Sequence, residues 1–311
     1  MLPPQRLGWI GLGAMGWPMA KQLLANYSSA TLTVYDIEQS LLEKFASEEP
    51  ERVKIASNAK QTALESDWVF TIVPEGKHVR QVYLDEESGI LAADIIGKTF
   101  IDCSTIDLET SSEVGAAVIS AKAACFVDAP VSGGTAGAAK GTITFMVGIA
   151  PEDPYFPVIQ TILSTMGRTV NAMGGKGLGL AAKLSNNYLS GCIAIALSEA
   201  MSIGMKLGIE PKLLSDTFDK GTGANWVNKV MNPVPGVCPD AATSKGYIGG
   251  FKVELMEKDV RLATQAAHQV GVKLALGDAV VSTYSQTAAD PAFRGKDSRV
   301  VYQWLNHPST E

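Results

Sequence analysis

The sequence is poor in histidine and cysteine, and that narrows its chemistry. Its three histidines, His78, His268 and His307, have no histidine, cysteine or carboxylate neighbour at ligand spacing, so no metal site is expected. Cys103, Cys125, Cys192 and Cys238 are scattered, which argues for free thiols in a reducing compartment. There is no G-x-S-x-G elbow, so a serine hydrolase has little support. No basic stripe is present, and the net charge is -6, which argues against a nucleic-acid partner. No apolar run is read as reaching membrane-spanning length, and no membrane partner is expected. Internal repeats and low-complexity tracts are also missing. The residues ahead of the first predicted strand are too few for a signal or transit peptide. The expectation is a cytoplasmic protein, or a mitochondrial-matrix one if a targeting segment has been removed. What remains is a chain of 311 residues, 46% hydrophobic and 19% charged. That is an ordinary globular mix, long enough for two domains of about 150 residues.

The rest of the chain is organised around residues 6–20. An apolar run, Leu7-Gly8-Trp9-Ile10, feeds into Gly11-Leu12-Gly13-Ala14-Met15-Gly16, and Met15, Met19, Leu23 and Leu24 then recur at helical spacing. This reads as strand, tight turn and helix. Gly11 allows the sharp turn, Gly13 lets the backbone approach a pyrophosphate, and Gly16 lets helix and strand pack closely. Free N–H groups at the helix N-terminus favour the phosphates. A glycine-rich turn without a ligand is the competing reading. Residues 31–35 answer it, because they read as a second strand followed by Asp36, 20 residues after Gly16. A carboxylate there meets the ribose 2′-hydroxyl of a dinucleotide. Asp36 also favours NAD over NADP, since it repels a 2′-phosphate.

Further strands are expected at 53–55, 68–73, 99–102 and 125–129. Helices are expected at 37–45, 58–65 (with Ser57 as a cap), 76–84 and 108–123. This alternation predicts an α/β fold with a doubly wound, Rossmann-type parallel sheet. Ligands of such sheets sit at the carboxyl ends of the strands. Val73-Pro74, Ser104-Thr105 and Ser132-Gly133 fall at such ends. A strand, helix and strand at 142–148, 153–163 and 168–170 complete the first domain. The pattern changes near 172. Residues 179–207 form one helix of about 40 Å, and helices at 211–219, 225–231, 253–270 and 274–288 follow. The expected division is therefore 1–172, a dinucleotide-binding domain, and 173–311, an all-helical substrate and dimerisation domain.

Lys183 is the residue most suited to chemistry. It is the only charge in a small, apolar helical stretch until Glu199, and Asn187 lies four residues on, on the same face. Ammonium and carboxamide side by side can hold one hydroxyl oxygen, and desolvation makes a lysine a usable proton carrier. A lysine snorkelling from a helix end is the alternative. Lys258-Asp259 is a second candidate or an ordinary charged helix face. Ser132-Gly133-Gly134 offers a hydroxyl and successive N–H groups to a carboxylate, or is a structural loop.

Several longer motifs extend these patches. They are Ile101-Asp102-Cys103-Ser104-Thr105, Asp128-Ala129-Pro130-Val131-Ser132-Gly133-Gly134 running on to Gly148, the segment 183–187, and Lys258-Asp259. With the glycine turn, they resemble the β-hydroxyacid dehydrogenase family over nearly the whole chain. Asn232-Pro233-Val234-Pro235-Gly236-Val237, Tyr247 and Gly249-Gly250-Phe251 resemble its 3-hydroxyisobutyrate dehydrogenase branch. The resemblance implies NAD-dependent oxidation of 3-hydroxyisobutyrate, or a close short 3-hydroxy acid, to the semialdehyde. It implies Lys183 as catalytic acid and base, with Asn187 beside it. Ser132, Gly133, Gly134, Phe251 and Asp259 would bind substrate. Gly11, Leu12, Gly13, Ala14, Met15, Gly16, Asp36, Val73, Pro74, His78, Thr105 and Lys258 would bind cofactor. His78 stands where the family normally has an asparagine, and Trp17 is bulkier than expected after the third glycine. A homodimer or homotetramer is implied. The alternatives are a relative acting on tartronate or succinic semialdehyde, an imine reductase, and a non-enzymatic scaffold on the same fold. Lys183 argues against the last two.

Overall fold

The computed structural model describes residues 4–307. Residues 1–3 and 308–311, which include part of the N-terminal stretch considered above, lie outside it. A six-stranded parallel sheet is built from β1 (Arg6–Ile10), β2 (Thr31–Tyr35), β3 (Val53–Ile55), β4 (Trp68–Thr71), β5 (Thr99–Asp102) and β6 (Cys125–Asp128), in the order 3-2-1-4-5-6. Helices α1 (Gly16–Asn26), α2 (Gln39–Glu48), α3 (Ala59–Leu64), α4 (Gly76–Leu84) and α5 (Leu108–Ser120) connect them. Strands β4 and β5 and the edge strand β6 are buried at every position. A parallel sheet covered on both faces requires this, and it is why those strands read as near-continuous apolar runs.

The helix ends show why the chain turns where it does. Asn58 caps α3 by accepting from the Gln61 amide, and Asp107 caps α5 by accepting from the Thr110 amide. The cap of α3 is thus Asn58, not Ser57. Ser57, one residue ahead of the cap, instead gives its backbone N–H to the Gln61 side chain. Cations close the opposite ends. Arg52 donates to the carbonyls of Leu24, Tyr27 and Ala30 beyond α1, and Lys98 donates to those of Ala63, Leu64 and Ser66 beyond α3.

After β6 the chain leaves the large sheet. β7 (Val131–Ser132), α6 (Gly134–Ala139), β8 (Ile143–Val147), α7 (Phe156–Leu163) and β9 (Gly167–Ala172) follow. The three strands form a separate sheet in the order β7-β8-β9, antiparallel and then parallel. Pro130 accounts for the departure, because it has no N–H with which to extend the β6 ladder. Its carbonyl accepts from Met146 of β8 instead.

Helix α8 (Leu178–Lys206) spans 29 residues. By length and composition it would cross a membrane, contrary to the expectation that no run is long enough. Small residues interleaved with the apolar ones disguise the run in the sequence. Its buried positions pack into protein: Leu180 joins the apolar cluster of Tyr83, Phe100 and Phe126, and Leu197 and Met201 join that of Leu214, Val227 and Val234. The chain divides into two compact units, Met1–Lys183 and Leu184–Glu311, so α8 contributes to both. The second unit adds α9 (Pro211–Lys220), α10 (Trp226–Met231), α11 (Val253–Gln269), α12 (Gly277–Ala289) and α13 (Val301–Asn306), and it is helical throughout its regular elements.

Candidate active site

In a sheet of this order the crevice for a ligand opens where the strand order reverses, between β1 and β4. The glycine turn stands there. Gly11 has φ +99°, and a Cβ on it would fall 2.2 Å from the Ile72 carbonyl oxygen. A Cβ on Gly16 would fall 1.9 Å from the carbonyl oxygen of Gly11. Both glycines are therefore required by the protein itself. Gly13 is not: a Cβ there would meet nothing within 4 Å. The open ground above Gly13 is where a pyrophosphate needs to approach the backbone, so the turn fits a dinucleotide. Asp36 directly follows β2, and its Oδ2 accepts from the Leu12 amide at 2.6 Å while Oδ1 accepts from the Glu38 amide at 2.9 Å. A carboxylate has about four acceptor sites, so Asp36 ties the turn to β2 and keeps capacity for a ribose hydroxyl.

A buried polar network shapes the neighbouring strand ends. Thr71 and Ser104 both donate to Oδ1 of Asp102, at 2.7 and 2.6 Å, and the Ser104 hydroxyl accepts from the Val73 amide at 2.9 Å. The Tyr83 hydroxyl lies 3.1 Å from that of Thr71. Val73, Pro74 and Thr105 thus follow β4 and β5 from fixed ends. Burial pushes the Asp102 carboxyl up, against the lowering effect of its hydrogen bonds. Its Oδ2 has no hydrogen-bond partner among the described residues. Ser104 was placed at a strand end and both residues in a family motif, but neither Asp102 nor Ser104 was given a role from the sequence, although a carboxylate ending an otherwise apolar strand was a readable signal. His78 lies in the first turn of α4, half-buried, and its Nδ1 also has no hydrogen-bond partner among the described residues.

Asp128 ends β6 and governs the next element. Its Oδ1 accepts from Gly177 and its Oδ2 from Leu180, each at 2.8 Å. It therefore satisfies orphan amides at the start of α8. A Cβ on Gly148 would lie 1.9 Å from Asp128 Oδ1, and one on Gly179 would lie 2.2 Å from the Met146 carbonyl oxygen. Glycine at both positions lets β8, α8 and the carboxylate close together. Burial raises the Asp128 carboxyl, with the backbone amides opposing that shift. One turn beyond this anchor is Lys183, only 7% exposed, and one turn further is Asn187, 5% exposed. Such burial does not suit a lysine snorkelling to solvent.

Ser132 ends β7, and Gly133 and Gly134 follow with φ +132° and +64°. Gly134 then opens α6, so this stretch is a strand end and helix start rather than a plain loop. In the second unit, Asn187 Nδ2 donates to Asp259 Oδ2, and Asn187 Oδ1 accepts from Asn186 at 3.0 Å. Lys258 Nζ stands 3.3 Å from Asp259 Oδ1. Asp259 is buried and Phe251 half-buried. In the second unit α8 and α11 thus bring Asn187, Lys258 and Asp259 together, while in the first unit Lys183 lies on α8 and Ser132 at the end of β7. No group of three His, Cys, Asp or Glu side chains that could hold a metal occurs among the described residues.

A sheet reversing at β1, with its glycine turn and Asp36, is how a Rossmann-type domain holds a nicotinamide dinucleotide. The protein is therefore an oxidoreductase that binds NAD. Residues 6–175 match the NAD binding domain of 6-phosphogluconate dehydrogenase, and residues 177–305 match the NAD-binding domain of NADP-dependent 3-hydroxyisobutyrate dehydrogenase. The chain belongs to the β-hydroxyacid dehydrogenase family, as its motifs lead one to expect. It is 37% identical over 293 residues to 3-hydroxyisobutyrate dehydrogenase of Pseudomonas aeruginosa, covering 94% of this chain and 95% of that one. It is 38% identical over 281 residues to the NAD-dependent L-serine dehydrogenase of the same organism, covering 90% and 91%. The solved Mycobacterium tuberculosis 3-hydroxyisobutyrate dehydrogenase with L-serine matches at a TM-score of 0.87 and 32% identity, over 97% of this chain and 99% of that one.

Asp128→Asn leaves one oxygen for two amides and sets an NH2 against the other. Chemical denaturation should show a loss of about 1–3 kcal/mol, the usual penalty for an unsatisfied buried donor. Asp102 has the opposite logic, because all its hydrogen bonds fall on one oxygen. Its folded pKa is raised above the ordinary 3.8, so the stability it confers is full below that value and is lost as pH rises through the folded pKa. Asp102→Asn should flatten that slope and leave the protein at least as stable at pH 7, measured as urea midpoints across pH 4–8.

Proposed function

We propose that the protein reversibly oxidises 3-hydroxyisobutyrate, or a close short 3-hydroxy acid, to the semialdehyde with NAD. The observation that carries this reading is Lys183, a buried lysine on a helix whose start is fixed by a carboxylate of the nucleotide-binding sheet. NAD, when bound, supplies the hydride acceptor. Lys183 Nζ, as the neutral amine, takes the proton of the substrate hydroxyl as the carbonyl forms, and the ammonium returns it in reduction. The same ammonium offsets negative charge developing on the oxygen. Asn187, held on both sides by Asp259 and Asn186, presents one orientation to that hydroxyl.

Ser132 and the amides of Gly133 and Gly134 hold the substrate carboxylate, and Phe251 and Asp259 bound the substrate on the helical side. The turn from Gly11 through Leu12, Gly13, Ala14 and Met15 to Gly16 takes the pyrophosphate. Asp36 takes the ribose, and Val73, Pro74, His78, Thr105 and Lys258 take the rest of the cofactor. The domain boundary lies at 172/173, with the dinucleotide fold before it and the helical substrate and dimerisation domain after it; Ser132, Gly133, Gly134 and Lys258 each serve the site from across that boundary. Exposed Leu189 and Ile203 on α8 favour a homodimer or homotetramer.

The branch assignment rests on a contact between its two marker segments. The Tyr247 hydroxyl donates to the Pro233 carbonyl at 2.6 Å, which joins the Asn232–Val237 stretch to the Gly249–Phe251 loop. The relative that acts on L-serine keeps serine in view as a substrate.

The deciding experiment is steady-state kinetics with 3-hydroxyisobutyrate, L-serine, 3-hydroxypropionate, glycerate and 4-hydroxybutyrate. The first should give the highest kcat/KM, and a flat or reversed ranking overturns the substrate. Lys183→Ala should lower kcat by about 100-fold or more with little change in KM, and retention of kcat removes Lys183 from the chemistry. NAD should exceed NADP in kcat/KM by about 10- to 100-fold, the worth of one charge-assisted hydrogen bond, and Asp36→Ser should erase most of that gap.

A further inference from the structure

Phe251 is held in place by a residue far along the chain. The segment 246–250 carries four left-handed residues: Gly246 at φ +67°, Tyr247 at +62°, Gly249 at +82° and Gly250 at +70°. Tyr247 is not a glycine, so this backbone relaxes unless the surroundings over-determine it. The restraint comes from residues 297–299. The Asp297 amide donates to the Tyr247 carbonyl at 2.8 Å, and the Ser298 amide donates to the Phe251 carbonyl at 2.7 Å. Asp297 Oδ2 accepts from the Phe251 amide at 2.9 Å, and Oδ1 accepts from the Arg299 amide at 2.9 Å. Arg299 Nη1 stands 3.6 Å from the same carboxylate.

The carboxylate is 0% exposed, and it occupies the space beside Gly250, where a Cβ would lie 2.1 Å from Oδ2. A completely buried carboxylate is retained only where its hydrogen bonds are needed. Here one oxygen, Oδ2, serves the peptide that carries Phe251, and the other caps the turn that brings residues 297–299 against that peptide. The ring itself packs against the cluster of Tyr247, Val253 and Met256.

We propose that Asp297 is a specificity-positioning residue: it sets where Phe251 stands and thereby the fit of the substrate's side chain. This rests on the reading that Phe251 bounds the substrate. Asp297 touches no reacting atom in it and acts only through the loop. Asp297→Asn keeps the shape but gives two amides one acceptor. Gly250→Ala reaches the same point from the other side, because its Cβ displaces the carboxylate without altering Asp297.

The test uses whichever 3-hydroxy acid the wild type turns over best, so a wrong substrate assignment does not obscure it. Both variants should raise KM for that acid by about tenfold, the effect of one lost buried hydrogen bond. They should leave kcat and NADH binding near wild type and change the ranking between branched and unbranched acids. In a Phe251→Ala background, Asp297→Asn should add nothing further to KM. Amide exchange, which needs no substrate, should rise in peptide 246–253 and in its partner strip 297–299, and stay near wild type in the rest of the second unit. A structural role alone predicts a lower melting temperature with unchanged KM and ranking, and that result overturns the proposal. So do unchanged exchange at 246–253 and additive effects in the double variant.

Discussion

The bond between the Asp128 carboxylate and the first amides of α8 is the constraint on which the rest depends. A 29-residue helix has four unsatisfied N–H groups at its start, and its direction is undefined until something binds them. Asp128 does so from the end of β6, in the interior, where an unpaired amide is costly. The same residue gives its carbonyl to the Gly148 amide, so it also fixes the end of β8. Strand, small sheet and long helix meet on one residue. Lys183 follows one turn later, and its place is inherited from that anchor.

The nucleotide side uses the same device with different residues. Asp36 binds the glycine turn through Leu12, and Asp102 binds Thr71 and Ser104, which in turn holds Val73. In each case a carboxylate at the carboxyl end of a strand organises the loop that follows. Burial raises the carboxyls of Asp102 and Asp128, and their hydrogen bonds oppose that shift. These groups lie where strands stop alternating and loops take over function.

Much of this was legible in the residues. The helix over 76–84 and the strand over 99–102 have the bounds the pattern indicates, because Pro74, Gly76 and the apolar runs punctuate them locally. Asn58 was not distinguished from Ser57 as a cap, since both side chains can accept from an amide and only the backbone at the helix start separates them. The strands at 142–148 and 168–170 were read as completing the first domain, and nothing in the pattern showed that they form a sheet of their own. Residues 142–148 have the same alternating pattern in either sheet, and Pro130 decides between them only once β6 is known to be an edge. Asp102 and Asp128 were seen only as members of motifs and Asp297 not at all, because a buried acceptor looks the same in a sequence as a solvated one.

By itself the sequence determined what short-range geometry dictates. That comprises a turn only glycine can make at Gly11, a close approach at Gly16, an acid at the end of the next strand, and a single lysine in an apolar helix. Those are constraints of φ, of volume and of spacing within a few residues. The tertiary structure alone decided which carboxylates are withdrawn from water and which amides they serve. Asp128 reaches amides 49 and 52 residues away, and Asp297 reaches one 46 residues away. Hydrogen bonds of that range carry no local signature, because either partner can satisfy itself with water until the chain closes around them.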